Sequence, residues 1–112
     1  MKKIFAITVA LMLAFSCCAM AELTFTTGGT SGTYYAFGNV LAQYITNNSD
    51  VAVTAIAGNG SAANIDLLDI GDAQLGLVQN DVANYAYNGI RIYEGAPVNS
   101  FTALAALYDE TV

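Results

Sequence analysis

The sequence predicts an α/β fold with a mainly parallel sheet and flanking helices. Short runs rich in β-branched or apolar residues alternate with segments whose apolar residues recur at helical spacing, in the order β-α-β-α-β-α-β. Glycines or small polar residues mark each change from strand to helix. Consecutive strands that are joined through helices favour a parallel sheet, so this order predicts the fold class.

The first half of the chain provides two strands and two helices. Leu23–Thr27 alternates apolar residues with threonine and predicts the first strand. After a glycine-rich turn, a helical stripe predicts a helix over about Tyr34–Asn48. Val51–Ala57 is rich in β-branched residues and predicts the second strand. A short helix over Ser61–Ile70 follows, with Gly71 as its C-cap.

The second half continues the alternation. Leu75–Val78 is almost wholly apolar, which predicts a third strand buried on both faces. A third helix is expected over Asp81–Asn88, ending at Gly89. The apolar run Phe101–Tyr108 could form a fourth strand.

Residues 1–21 have the features of a secretory signal peptide. Met1, Lys2 and Lys3 form a positive start, Ile4–Phe15 is apolar, and Ala19–Ala21 is a small-x-small cleavage site. The apolar stretch is shorter than the roughly 20 residues that a membrane-spanning helix needs. Cleavage is therefore predicted after Ala21.

Cleavage there would leave residues 22–112 as the mature, exported part, with no segment that inserts directly in the membrane. A lipid anchor on Cys17 or Cys18 is the alternative, but Phe15 is bulky where a lipidation signal usually has a small residue.

Charge and composition exclude several classes of function. After Ala21, nine acidic residues stand against one basic residue, Arg91, which leaves a formal charge of minus eight. Such a chain repels a phosphate backbone, so nucleic acid is not expected as a partner. Neither His, Cys nor Lys occurs after residue 21. The usual zinc sites, Ser–His–Asp triads and Schiff-base chemistry are therefore excluded.

Catalysis by paired carboxylates has a simpler alternative. Asp66, Asp69 and Asp72 recur at spacings of three along a short amphipathic helix. A solvated polar face explains this pattern without any chemistry. We therefore expect no enzyme activity, no metal and no cofactor.

The first strand-to-helix turn provides five candidate ligand-binding residues. In open α/β sheets, ligands bind beyond the carboxyl ends of the strands, near free N–H groups of helix N-termini. Three glycines would let the backbone approach a ligand, and hydroxyl groups flank them; the alternative is a tight turn before a capped helix. The candidates are Thr30, Ser31, Thr33, Tyr34 and Tyr35. Adjacent helix residues cannot both face one cleft, so one of the two tyrosines is expected to be core.

The next two turns provide four more candidates. Ser61 could be a ligand contact or only an N-cap. Asn64 is a poor helix former one turn later, which favours a specific role. Gln79 is a polar residue at the end of an apolar strand, and Asp81 could be either a ligand contact or an N-cap. The three turns together predict a neutral, hydroxyl- and amide-rich mouth that suits a carboxylate.

Four segments resemble motifs of TAXI-type receptors of TRAP transporters. Thr27–Tyr35 resembles their opening motif, and Asn59–Asn64 resembles their Gly-Ser-x-x-Asn turn. Leu75–Gly89 resembles their third-strand segment, and Ala103–Glu110 resembles their Ala-x-Leu-Tyr-x-Glu stretch. One departure is Asp109, which stands where proline is common in that family.

The resemblance implies the first part of lobe 1 of a type II periplasmic-binding-protein fold. It implies a periplasmic receptor that captures a small carboxylate, such as glutamate or 2-oxoglutarate, and delivers it to TRAP membrane subunits for uptake driven by a sodium or proton gradient. It also implies ligand contacts by either Tyr34 or Tyr35 and by seven other candidates: Thr30, Ser31, Thr33, Ser61, Asn64, Gln79 and Asp81.

Length is the main departure from that family, whose members have a second lobe that closes the cleft. We therefore expect residues 22–112 by themselves to bind glutamate-like ligands weakly or not at all. Two other hypotheses stay open: a truncated product that binds no solute, and a small envelope protein that acts by protein–protein contact, perhaps through an exposed sheet edge.

Overall fold

The fold was analysed in a computed structural model that describes residues 21–109 of the chain. Apart from Ala21, the predicted signal peptide lies outside the described residues, and so does Glu110. Within residues 21–109, no helix combines the length and apolar character needed to cross a membrane.

Three parallel strands form an open sheet in the order β2-β1-β3. The strands are β1 (Glu22–Thr26), β2 (Ala52–Ile56) and β3 (Leu75–Gly76). The first three predicted strands are present, and the predicted α/β fold with a parallel sheet is confirmed.

The strand register brings the carboxyl ends of the three strands to one level. Thr26 of β1 lies opposite Ile56 of β2 on one side and Gly76 of β3 on the other. One more hydrogen bond continues each ladder: the Thr27 N–H donates to Ile56 O at 3.1 Å, and the Leu77 N–H donates to Thr26 O at 3.1 Å. The three turns that follow these strands therefore start side by side.

Three α-helices and one 3-10 turn complete the described structure. They are α1 (Thr33–Asn48), α2 (Ser61–Ile70), α3 (Asn80–Asn88) and the 3-10 turn Arg91–Tyr93. Gly71 ends α2 in a left-handed conformation (φ 82°), where its N–H donates to Leu68 O, so its predicted C-cap role is confirmed.

The core lies between α1 and one face of the sheet. Phe25, Ala42, Val53 and Leu77 are buried together there. Because side chains alternate along a strand, Thr26 points to the opposite face, where it meets Asn64 of α2. The sheet thus has α1 on one face and α2 on the other.

The third strand is shorter and less buried than predicted. Only Leu75 and Gly76 pair with β1, and both are half-buried, whereas Leu77 just beyond them is buried in the core. The expected burial on both faces is therefore absent, and β3 lies at an edge of the described sheet with β1 as its one partner there.

The predicted fourth strand at Phe101–Tyr108 is wrong. This segment has no regular secondary structure, and Leu104 is 81% exposed. Its apolar character was the only strand signal, and alanine is depleted in strands, so Ala103–Leu107 has little intrinsic preference for one. Tyr108 instead packs edge-on against Phe37 and Tyr34 of α1, with ring centroids 5.5 and 6.5 Å away.

Candidate functional site

An open cleft of about 250 Å³ lies where the three strand-to-helix turns meet. The first turn precedes α1, the second precedes α2 and the third precedes α3. All three contribute to the lining, which consists of Gly28, Gly29, Gly32, Thr33, Tyr34, Gly60, Ser61 and Gln79. The structure therefore brings together the three turns that the sequence predicted to form one mouth.

Uncharged groups line this cleft. The lining residues are glycines, hydroxyl-bearing residues and one glutamine. Arg91 is the only basic residue between 21 and 109, and it follows the far end of α3, which at 1.5 Å per residue is roughly 13 Å long. An anion in the cleft would therefore be met by backbone N–H groups and hydroxyls, with no partner of opposite charge.

Glycines occupy the N-cap positions of two helices at the cleft. Gly32 precedes α1, and Gly60 precedes α2 with a φ of 90°. A glycine has no side chain with which to cap the first N–H groups of a helix, and neither N-cap residue makes a side-chain hydrogen bond here. The positive end of each helix dipole favours an anion.

Ser61 joins the second turn to the third. It is the first residue of α2 and not its N-cap, so the interpretation of Ser61 as a cap is wrong: Gly60 holds that position. Its Oγ accepts a hydrogen bond of 2.9 Å from the backbone N–H of Gln79. Ser61 thus lines the cleft and also fixes the third turn.

Asn64 is completely buried and is not among the residues that line the cleft. Its Nδ2 donates to Thr27 O and to Leu77 O, each at 2.7 Å, and its Oδ1 accepts from the Thr26 hydroxyl at 2.7 Å. These contacts are internal to the protein, and a ligand contact by Asn64 stays a prediction.

Besides Ser61 and Gln79, two more of the nine predicted residues line the cleft. They are Thr33 and Tyr34, and Tyr34 in addition packs against the core. The adjacent Tyr35 is half-buried and does not line the cleft, so the two tyrosines do not both face it, as expected; the tyrosine that packs against the core is nevertheless Tyr34 and not Tyr35.

Three predicted residues are exposed and do not line the cleft: Thr30, Ser31 and Asp81. Thr30 and Ser31 belong to the first turn. Asp81 is in the first turn of α3, after the N-cap position of Gln79, so its interpretation as an N-cap is wrong. Its carboxylate accepts a hydrogen bond from the Val82 N–H at 2.8 Å. Ligand contacts by these three residues stay predictions.

Sequence reasoning did not name the glycines of the lining as site residues. Gly28, Gly29, Gly32 and Gly60 contribute only backbone, so side-chain chemistry could not identify them. Their signal was the clustering of glycine directly after two predicted strands. Gly28 also needs to be glycine sterically, because a Cβ atom there would lie 2.9 Å from the Cβ of Tyr34.

The three aspartates on and just after α2 have no metal-binding arrangement, and Asp72 lies beyond Ile70, the last residue of that helix. Asp66, Asp69 and Asp72 are exposed, and Asp69 accepts a hydrogen bond of 2.5 Å from the Ser100 hydroxyl. Within residues 21–109, no group of three His, Cys, Asp or Glu side chains could hold a metal ion.

Comparison with known protein families gives one match that covers most of the chain. A sequence model of the NMT1-like family matches residues 25–112, which include every strand-to-helix turn of the cleft. This family is of the periplasmic-binding type, and the parallel sheet with a cleft at the carboxyl ends of its strands agrees with such a lobe. The chain belongs to the NMT1-like family.

Proposed function

We propose that the chain is the extracytoplasmic solute-binding component of a TAXI-type TRAP transporter and that it captures a small carboxylate, such as glutamate or 2-oxoglutarate. Membership of the NMT1-like family supports a periplasmic solute-binding role. The four TAXI-like segments of the sequence support the finer assignment, in which the TRAP membrane subunits receive the solute.

The convergence of three turns on one uncharged cleft is the observation that carries the choice of a carboxylate. Gly32 and Gly60 leave the first N–H groups of α1 and α2 without side-chain caps. Several N–H groups and the hydroxyls of Thr33 and Ser61 could then donate to one small anionic group. A cation would have no carboxylate in the lining to pair with.

The size and walls of the cleft suit a small polar solute. A volume of about 250 Å³ lies below the roughly 300–1,000 Å³ that is typical of sites for drug-sized ligands. Tyr34 offers an aromatic wall at the side of the cleft. An aromatic ring with a polar tip can cover the carbon skeleton of a dicarboxylate while its charged end faces the helix N-termini.

Titration followed by NMR tests this assignment, because it detects weak binding and locates it. We expect 2-oxoglutarate or glutamate to shift the amide signals of Gly29, Gly32, Ser61 and Gln79 at millimolar concentration, where a Kd of about 1 mM corresponds to about −4.1 kcal/mol. The dimethyl ester of 2-oxoglutarate has the same skeleton without the charge and should leave these signals in place. Equal shifts with the ester, or none with either anion, would contradict a carboxylate site.

A charge variant with a matched control tests whether binding occurs at this cleft. Gln79→Glu adds a negative charge to the lining, and Gln43→Glu adds the same charge to an exposed position of α1. We expect only Gln79→Glu to weaken 2-oxoglutarate binding, by about tenfold, which is about 1.4 kcal/mol of repulsion. An equal effect of both substitutions would place the binding site elsewhere.

A further inference from the structure

We propose that Asn64 is a positioning residue: its buried amide joins the ends of β1 and β3 and the turn after β2 into one frame that sets the shape of the cleft. The frame consists of Thr26, Thr27, Gly58, Asn64 and Leu77. The effect of the frame on solute affinity rests on the proposed function, whereas the frame itself can be tested without any solute.

The hydrogen bonds of Asn64 join the end of the central strand β1 to the end of its neighbour β3. Thr26 and Thr27 end β1, and Leu77 follows β3, so three bonds of 2.7 Å tie two neighbouring strands at the same level. All polar hydrogens of this side-chain amide are engaged, since the two donors of Nδ2 have one carbonyl each. Within residues 21–109, no buried side-chain nitrogen or oxygen is without a hydrogen-bond partner.

The turn after β2 packs against the same amide through Gly58. A Cβ atom at this position would lie 2.5 Å from Asn64 Oδ1, 2.7 Å from Thr27 O and 2.9 Å from Thr26 Oγ1. The backbone of the second turn therefore approaches the end of β1 and the Asn64 amide closely only because residue 58 is glycine. The Gly58 N–H also donates to Gly28 O at 3.0 Å, which fixes the second turn against the first.

Three residues of the lining are close in sequence to members of the frame. Gly28 directly follows Thr27, Gly60 follows Gly58 by two residues, and Gln79 follows Leu77 by two residues. Asn64 itself is one helical turn after Ser61, whose hydroxyl accepts from Gln79 N–H. A shift of the Asn64 amide would therefore move groups from all three turns, although its side chain is completely buried.

Hydrogen exchange in Asn64→Ser tests the frame directly, because serine is too short to bridge the two strands. The reporters are the amides of Thr27, Gly58, Leu77 and Gln79, whose acceptors lie in or beside the frame. We expect their exchange to accelerate by about tenfold or more, since an unpaired buried carbonyl favours local opening. Exchange at Val53 and Ile90, whose N–H groups donate to Thr46 Oγ1 and Tyr85 O, should change by less than about twofold.

If Asn64 only stabilised the fold as a whole, Asn64→Ser would give a different pattern of hydrogen exchange. Uniform acceleration at the reporters and at Val53 and Ile90, or unchanged exchange at the reporters, would overturn the proposal. Asn48→Ser provides the matched control, because Asn48 is exposed at the end of α1, where its amide donates to Tyr44 O. That substitution should leave all four reporters unchanged.

Thr26→Val provides a milder test should Asn64→Ser fail to fold. Valine preserves the shape of threonine but removes the hydroxyl that donates to Asn64 Oδ1. The same reporters should exchange faster, whereas Thr24→Val, on the same face of β1, should leave them unchanged. Equal effects of the two valine substitutions would overturn the proposal.

Solute affinity separates this inference from the proposed function. Where the wild-type chain binds 2-oxoglutarate, folded Thr26→Val should bind it about threefold to tenfold more weakly, because the cleft loses its fixed geometry. An unchanged affinity together with faster exchange at the reporters would overturn the positioning role. A wild-type chain that binds no carboxylate would contradict the proposed function alone, and the exchange pattern would still decide on the frame.

Discussion

The hydroxyl oxygen of Ser61 accepts a 2.9 Å hydrogen bond from the backbone N–H of Gln79, 18 residues further along the chain. This bond joins the second and third turns at the cleft, so one side chain has both a structural contact and a place in the lining. Its removal should therefore affect stability even without a ligand.

Ser61→Ala should lower the free energy of unfolding by about 1–3 kcal/mol, because it leaves the Gln79 N–H without its acceptor. Chemical denaturation measures the change. Ser31→Ala is the control, since Ser31 is an exposed residue of the first turn and its substitution should change the value by less than about 0.5 kcal/mol. Equal effects at the two serines would show that the Ser61–Gln79 bond contributes nothing specific.

Gly58→Ala should be among the most destabilising glycine substitutions in the chain. The added Cβ atom would meet Asn64 Oδ1 at 2.5 Å and Thr27 O at 2.7 Å, and neither belongs to the end of a flexible side chain. We expect a loss of about 3 kcal/mol in the free energy of unfolding.

Gly29→Ala is the matched control for Gly58→Ala. A Cβ atom at Gly29 has no other atom within 4 Å, and its φ is not positive. Denaturant unfolding of the two variants should therefore differ by at least about 2 kcal/mol. Similar midpoints for the two would mean that the second turn can move away from Asn64 at little cost.

Gly38→Ala tests a contact between α1 and the end of β1. Alanine is favoured over glycine in a helix interior by about 1 kcal/mol. At this position, however, its Cβ would overlap the Cγ2 atom of Thr27 and lie 3.2 Å from Thr27 Cβ. We expect the overlap to exceed the gain in helix propensity, so Gly38→Ala should lower the melting temperature.

Thr27→Ser should reverse the sign of that effect. Serine keeps the hydroxyl that donates to Ile56 O at 2.6 Å but lacks the methyl group that the new Cβ would overlap. In the Thr27→Ser background, Gly38→Ala should therefore be neutral or stabilising, by up to about 1 kcal/mol. A double-mutant cycle with zero coupling energy would refute this interpretation.

The parallel sheet and most helix boundaries could be predicted from the sequence, because the alternation of strands and helices depends on local signals. Gly71 is an example, since glycine after an apolar stripe indicates a left-handed C-cap, and the structure has one there. The predicted mouth also formed, because parallel strands in register must end at one edge of the sheet.

Other features depend on contacts that are distant in sequence. Asn64 was recognised as an unusual helix residue, but its partners Thr26 and Leu77 are 38 and 13 residues away. The bond that Ser61 accepts likewise comes from Gln79, 18 residues away, whereas the sequence indicates only a ligand contact or an N-cap for Ser61. Local patterns do not contain such pairings, which arise from the packing of α2 against the sheet.

Tyr93 should make the free energy of unfolding depend on pH in the alkaline range. Burial, and secondarily the carboxylate of Asp66, raise the pKa of its hydroxyl above the usual 10.0, and the hydroxyl donates to Ala62 O at 3.3 Å. The folded state therefore holds this proton more tightly than the unfolded state does. The resulting stabilisation is present below pH 10 and is lost as the pH rises through the folded-state pKa.

Tyr93→Phe should remove this part of the pH dependence. Urea unfolding at about pH 9 and about pH 11 should show a smaller loss of stability in Tyr93→Phe than in the wild type, since the other tyrosines are common to both. Asp66→Asn should give an intermediate loss, because burial of the hydroxyl remains. An equal loss in the wild type and in Tyr93→Phe would show that this proton does not couple to folding.

Leu77 and Leu104 belong to two similar apolar runs, but Leu77 is buried and Leu104 is exposed. Leu77 is 6% exposed in the core beside Phe25, whereas Leu104 is 81% exposed in a segment without regular structure. Leu77→Ala should lower the free energy of unfolding by about 2–5 kcal/mol, because it leaves a cavity next to the central strand. Leu104→Ala should change it by less than about 0.5 kcal/mol. Comparable losses in denaturant unfolding would indicate that Leu104 is buried as Leu77 is.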